Sequence, residues 1–417
     1  MTVLDPELDR ERVPGLRPGS PQARRLSLAM LAAGLAAFSL LYFTQALLPA
    51  IGADFRVGPA ASSLTVSCAT GALALAILPL SSLAESLGRT RLMRGGLLVA
   101  CLLAFASALM PRFWLLLATR ALIGVALAAV VAVAMGHLGD EIHPTGIGAA
   151  IGLYVSGNSL GGVFGRLIPG TVQDLGSWRL AVGVLGACSA VAVAAFMVLL
   201  PPARRFRPTP TRLRAHVSAL RELSGDRGVR RLCAVGFLLM GGFVACYNYL
   251  TYRLTSAPIH LSGTRASLLF LAYLAGTVSS TVAGRLADRH GRGTVIGTGV
   301  VLSLIGLALT LPDNLVMITV GLVVFTAGFF VAHSVASGWV AARAPRHRAQ
   351  ASALYLMAYY LGSSTLGSAI GLAYLHSGWT ATAAVIGALC VAALVCVAGV
   401  PRQPSTDETR AATRYGR

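Results

Sequence analysis

The chain alternates long apolar runs with short polar stretches, and the runs are too long to be the strands or helices of a soluble core. A helix needs about 20 apolar residues to cross a bilayer. Runs of about that length or more lie at 26–51, 61–83, 92–110, 114–138, 146–170, 178–200, 232–254, 266–286, 294–312, 316–341, 350–375 and 378–400. Several exceed the hydrocarbon thickness, so tilt or overhang is expected. The pattern predicts an all-α integral membrane protein with twelve transmembrane helices.

Composition agrees with the pattern. Of 417 residues, 55% are hydrophobic and only 12% charged, a balance that belongs to membrane proteins. The net charge of +19 would point to nucleic acid in a soluble chain, but here every basic residue is an arginine and most fall between spans. With the N-terminus inside, 27 of the 34 arginines lie on the inner side. That bias predicts a multi-pass protein of a bacterial-type cytoplasmic membrane with both termini cytoplasmic, and it argues against nucleic-acid binding. The tail 1–25 is polar and proline-bearing and is expected to be disordered. The first run is too long for a signal peptide and is kept as a helix. The seven cysteines form no C-x-x-C pair and read as small apolar residues, not as disulfides or a metal site.

A basic segment, 201–231, with nine arginines and four prolines, divides six runs from six. It reads as a cytoplasmic linker, in which HVSALREL is either a short amphipathic surface helix or part of a solvated loop. The halves 26–200 and 232–400 repeat each other at a near-constant offset, with a C-terminal tail at 401–417. LADRHGR (286–292) lies 203 residues after LAESLGR (83–89), Tyr355 lies 201 after Tyr154, and Trp379 lies 201 after Trp178. Parallel six-helix repeats predict two pseudo-symmetric bundles with a substrate site near the midplane between them.

The repeated charged cluster joins the second run to the third and the eighth to the ninth. Gly284 permits close helix approach, Gly291 permits a sharp turn, and Asp288 is an acceptor for arginines or for a helix N-terminus. Such a cluster makes a latch between halves, or serves topology alone through Arg285, Arg289 and Arg292.

At these residues the chain resembles the major facilitator superfamily, over essentially 26–400. GRLADRHGR matches that family's cytoplasmic loop motif at Gly284, Asp288, Arg289, Gly291 and Arg292. The first copy keeps Gly88 and Arg89 but has Ser81, Glu85 and Ser86 where glycine, aspartate and arginine are usual. The resemblance implies that Glu85 and Asp288 stabilise the outward-facing state, with the first latch the weaker. It also implies a monomer that binds a small-molecule substrate in a lipid bilayer. YVSGN and YNYLTYRL look most like the YnfM-type branch of bacterial drug or metabolite exporters.

Several polar residues stand inside the spans. Arg120, in RALIG, resembles the family's second motif; it is expected either to serve coupling or substrate binding, or to cap carbonyls of a broken neighbouring helix. Gly157, Gly161 and Gly165 recur every fourth residue and predict close packing. In exporters of the family a G-P-x-x-G-G stretch lies where the halves meet; here Gly157, Asn158, Gly161 and Gly162 hold the matching places, with Asn158 instead of proline. Arg166 is a second intramembrane cation, and no span carries a central carboxylate. Asp54 and Asp174, at outer span ends, are its nearest expected partners and candidate proton carriers, or are simply solvated. Tyr42 and Gln45 on the first span, with Tyr247 and Asn248 on the seventh, are expected to wall one cavity. His333 is either a satisfied core residue or a titrating group for proton coupling.

No phosphate-binding glycine loop, metal cluster or nucleophile with a base is evident, so the chain reads as a non-enzyme without cofactor. The leading expectation is a secondary active transporter exporting small organic molecules by alternating access, driven by a proton gradient. The alternatives are a proton-coupled uptake symporter for a small anion and, less favoured, a non-transporting membrane sensor.

Overall fold

The computed structural model describes residues 15–205 and 213–401, which fold almost entirely into helices. The spans are α1 Pro21–Phe55, α2 Pro59–Leu87, α3 Arg89–Ala108, α4 Phe113–Glu141, α5 Ile147–Leu175, α6 Trp178–Leu199, α7 Arg227–Thr255, α8 Gly263–His290, α9 Arg292–Leu309 and α10 Leu315–Arg343, followed by α11 Arg348–Ala369 and α12 Gly371–Ala398. Among the described residues eleven of these are both long and apolar enough to cross a membrane. The exception is α11, which is long enough but carries Gln350, Ser352, Ser363, Ser364, Thr365 and Ser368. The chain continues from α11 through a helical Ile370 and turns only at Ser377 and Gly378, the latter at φ 63°. The eleventh pass thus ends near His376 and the twelfth begins at Trp379, close to the predicted 350–375 and 378–400.

Polar side chains set the helix starts. Ser20 accepts from the Ala23 amide (3.2 Å), Ser177 from that of Leu180 (3.2 Å) and Asp226 from that of Val229 (2.8 Å), each satisfying a donor that the first turn leaves unpaired. The connections α2–α3 and α8–α9 are single residues, Gly88 (φ 95°) and Gly291 (φ 86°), because only glycine takes that backbone without strain. Apolar side chains such as Leu102, Val191, Val198 and Val395 face outward, the reverse of a soluble protein and the surface lipid requires. The spans α1 and α7 are the most enclosed.

One expectation changes, and of the two readings of the linker the structure takes one. Part of the tail expected to be disordered is fixed: Leu16 pairs with the α4–α5 connection, its amide donating to Glu141 (2.8 Å) and its carbonyl accepting from His143 (3.0 Å). Residues 1–14 and 402–417 lie outside the described residues. In the linker, Leu213–Gly225 is a helix rather than a loop, with Ala219 and Leu223 buried and a Glu222–His347 pair at 3.3 Å. Just after it, burial favours the neutral Asp226 carboxyl, but the Val229 amide and the Arg343 guanidinium outweigh that effect and hold it below the usual range.

The two halves meet along α2 with α11 and along α5 with α8. From mid-membrane to the face opposite the linker, α2 and α11 are joined by a ladder of small hydroxyls. Ser63 and Ser67 bond Ser368 (2.8 and 2.6 Å), Ser364 bonds the Ser67 carbonyl (2.8 Å), and Ser363 reaches Thr70 (3.3 Å).

Candidate functional site

A cavity of about 990 Å³ lies between the halves and opens at the linker face. Its mouth is formed by Glu85, Arg89, Gly136 and Arg348, with Leu220 of the linker helix. Its walls are Phe38, Tyr154, Asn158, His333, Tyr359 and Tyr360, and its apex is Arg166 between Tyr42 and Tyr273.

Arg166 is 1% exposed. Its Nε donates to Gln45 Oε1 (2.7 Å), one terminal nitrogen to the Gly162 carbonyl (2.5 Å) and the other to the Tyr273 hydroxyl (3.1 Å). The guanidinium carbon lies 4.4 Å from the Tyr42 ring centre and 4.6 Å from that of Tyr273, where the ring faces attract a cation. No described carboxylate pairs with it, which corrects the expected partnership. Asp54 takes Arg179 (2.6 Å) and Trp178 (3.1 Å) instead. Asp174 accepts from the amides of Gly263 (3.1 Å) and Thr264 (2.7 Å), capping α8 across the junction of the halves.

Beyond the apex the opposite face is shut. Gln45 Nε2 donates to Asn248 Oδ1 (2.7 Å), Tyr252 bonds Ser62 (2.6 Å) and the Leu48 carbonyl (2.8 Å), and Tyr249 bonds Ser63 (3.2 Å). Gln45, Tyr247 and Asn248 therefore do not wall the cavity. Gln45 and Asn248 are buried in the seal behind it, and Tyr247 is buried within the second half, turned toward Thr326 (2.7 Å). Tyr42 does line it, as expected.

Arg120 is fully buried and does not reach the cavity. Pro49 has no amide to close the α1 ladder, and α1 tightens to a 3₁₀ turn over Phe43–Leu47. Arg120 takes up carbonyls there, donating to Leu40 (3.0 Å) and Leu41 and also to Thr65 (2.8 Å), with its guanidinium carbon 4.3 Å from the Phe43 ring centre. Of its two expected roles, the capping of a broken helix is the one this geometry supports.

The glycine stripe packs closely, as expected, but not against the other half. Gly157, Gly161 and Gly165 press on the α1 backbone at Leu31, Leu35 and Ser39, inside one half. On α5 the halves approach instead at Gly170, against Ser267. Gly162 faces the cavity, and Asn158, in its wall, leaves its side-chain oxygen without a hydrogen bond. His333 lines the cavity, its Nδ1 3.0 Å from the Tyr355 hydroxyl and its ring 4.5 Å from that of Tyr359.

At the cluster GRLADRHGR, Gly284 borders open space, Asp288 is exposed, and no hydrogen bond links Asp288 to the described residues. The expected close approach at Gly284 and the latch at Asp288 are both absent from this state. The first copy is the engaged one, with Arg89 bonded to Asp140. The open surroundings of Gly284 and Asp288 follow from a cavity open on that face, whereas the Arg89–Asp140 pair lies within the first half.

Three residue sets escaped the sequence reading. Tyr273 and the Tyr355–Tyr359–Tyr360 group carry no motif. The serine ladder did leave a signal, in SSLTVSCAT and LGSSTLGS, where hydroxyls persist through otherwise apolar runs. Among the described residues no cluster of His, Cys, Asp and Glu is arranged to hold a metal.

Comparison with known proteins supplies the family. The chain is 43% identical over 380 residues to the inner membrane transport protein YnfM of Escherichia coli, covering 91% of each chain. It is 38% identical to the MFS-type transporter YybF of Bacillus subtilis, over 91% of this chain and 94% of that one. Among solved structures, a peptide transporter POT superposes with a TM-score of 0.76 at 14% identity, over 96% of this chain and 98% of that one. A bacterial homologue of the lysosomal transporter Spinster gives 0.72 at 18% identity, over 91% and 96%. The family model of the Major Facilitator Superfamily matches residues 26–257 and 250–414. With those matches on a fold of two joined helical halves around one cavity, this chain is a multi-pass membrane transporter of the Major Facilitator Superfamily.

Proposed function

We propose that the protein exports small organic molecules across a bacterial cytoplasmic membrane by alternating access, in exchange for protons. The observation that carries this reading is the cavity between the halves, open at the linker face and sealed by hydrogen bonds between the halves at the other. The arginine bias makes the linker face cytoplasmic, so the described state is inward-facing and loads from the cytoplasm.

For proton use, His333 is the proposed carrier, because it stands in the cavity wall and Asp54 and Asp174 are held by other partners. The two six-helix halves, the linker between them and a monomeric state complete the reading. Uptake of a small anion with protons is the second reading, favoured by the unpaired charge of Arg166.

Proteoliposomes with a substrate panel and an imposed pH gradient of either sign test the proposal. Accumulation driven by the gradient that opposes export supports the uptake reading, and transport indifferent to the gradient rejects proton coupling. Loss of gradient dependence in His333→Gln, with downhill transport retained, assigns the carrier.

A further inference from the structure

Arg166 presents a problem of charge. A cation that is 1% exposed is costly inside a membrane protein unless an anion meets it. Ring faces and neutral acceptors surround it, and the two nearby carboxylates on the opposite face are committed elsewhere. A guanidinium has five N–H groups. Three are engaged, by Gln45, Gly162 and Tyr273, so two remain at the apex of the cavity.

A second observation agrees. Among the described residues lining the cavity, Arg89, Arg166 and Arg348 are cationic; Arg89 is paired with Asp140, and Glu85, at the mouth, is the one carboxylate, which leaves an excess of one positive charge. Such a cavity concentrates anions. Between mouth and apex the wall is aromatic, with Phe38, Tyr42, Phe243, Tyr273, Phe330 and Tyr359. Those faces match a flat apolar body better than a hydrated or branched one.

We propose that Arg166 anchors a substrate carboxylate, and that the transported molecule is a small aromatic monocarboxylate. Two free N–H groups match the two oxygens of one carboxylate, as a fork that a point charge cannot reproduce. A phosphate dianion would bring a second charge with no described partner at the apex. Gly162 is part of the same site: a methyl group there would stand 3.4 Å from the guanidinium and narrow its approach. The inference rests on the transporter reading but not on direction or coupling.

The test is equilibrium binding to the purified full chain in detergent, without a gradient. The probes are benzoate, phenylacetate and indole-3-acetate, the amide of each, benzylamine, and phenyl phosphate. At least one acid is expected to bind ten times or more tighter than its amide. Arg166→Gln should bring that acid to the level of its amide, and Arg166→Lys should recover only a small part. Because Arg166→Gln also strands Gln45 and Tyr273, Gly162→Val provides an independent arm: it keeps the arginine and should weaken the acid more than the amide. Equal binding of acid and amide overturns the proposal, as does tighter binding of benzylamine or phenyl phosphate, or binding by none of the acids. Acid binding without transport in proteoliposomes would count against the proposed function while leaving this site intact. Transport without acid preference would do the opposite.

Discussion

Gln45 and Asn248 are 203 residues apart in sequence and 2.7 Å apart in space, and that separation equals the offset of the repeat. They are counterparts in the two halves, and they bond to each other where the halves meet behind the cavity. Gln45 also accepts from Arg166, so one amide joins the seal to the proposed anchor. Asn248→Leu should leave the buried Gln45 amide without its acceptor, at a cost of about 1–3 kcal/mol to the closed face. The balance between states should then move about tenfold toward the state open opposite the linker. In a background lacking the seven native cysteines, labelling of Thr251→Cys, which lines a smaller pocket on that face, should accelerate accordingly. An unchanged rate would mean that the pair contributes nothing to closure.

The cluster GRLADRHGR should act in the opposite state. Asp288 has no hydrogen-bonding partner among the described residues while the cavity is open on its side, so Asp288→Asn should leave expression and melting near normal and slow transport several-fold. Gly284→Leu should do the same by blocking helix approach, because its surroundings are empty only while that face is open. Glu85→Gln should do less, since its motif lacks the arginine at Ser86. Normal transport rates in all three variants would leave the clusters with topology alone.

Arg120 should behave as a structural residue. Arg120→Leu strands carbonyls at Leu40, Leu41 and Thr65, so purification yield and melting temperature should fall, the latter by several degrees. Substrate KM in the surviving protein should stay within about twofold of the parent. A selective rise in KM at unchanged melting temperature would return Arg120 to the substrate site.

Orientation is open to a direct check. In intact cells, cysteines introduced at Arg221 and Arg289 should be shielded from a membrane-impermeant thiol reagent, and one at Asp313 should react. Labelling at position 221 would invert the assignment of faces.

The passes, their repeat and the two glycine turns were legible because each is a local matter of apolar length or of backbone conformation. Gly88 and Gly291 declare themselves within one motif. Where a side chain points was not local. Arg120 and Arg166 look alike in sequence, each an arginine in an apolar helix, yet one faces the broken α1 and the other the cavity. The difference is made by the Leu40 and Leu41 carbonyls left free where α1 tightens, far from Arg120 in the chain. By depth alone, Asp54 and Asp174 are the nearest acids to Arg166. Trp178 with Arg179, and the start of α8, hold them instead. The four-residue period of the glycines specifies a packing surface, but its partner depends on how α5 is rotated, which the period does not specify.

The hydroxyl ladder between α2 and α11 has a property that an apolar seam of the same size would lack. Two of its six hydroxyls already have a second acceptor in their own helix, Ser63 at the Ala60 carbonyl (2.7 Å) and Thr70 at that of Val66 (3.2 Å), and the others can turn to the carbonyl one turn back. When the helices part, these hydroxyls can fall back on a neighbour one turn away, so separation strands few polar groups. Small side chains also leave no large knobs to withdraw from sockets. The seam is therefore nearly indifferent to being open or shut, and ligand contacts worth only a few kcal/mol suffice to decide between the two arrangements.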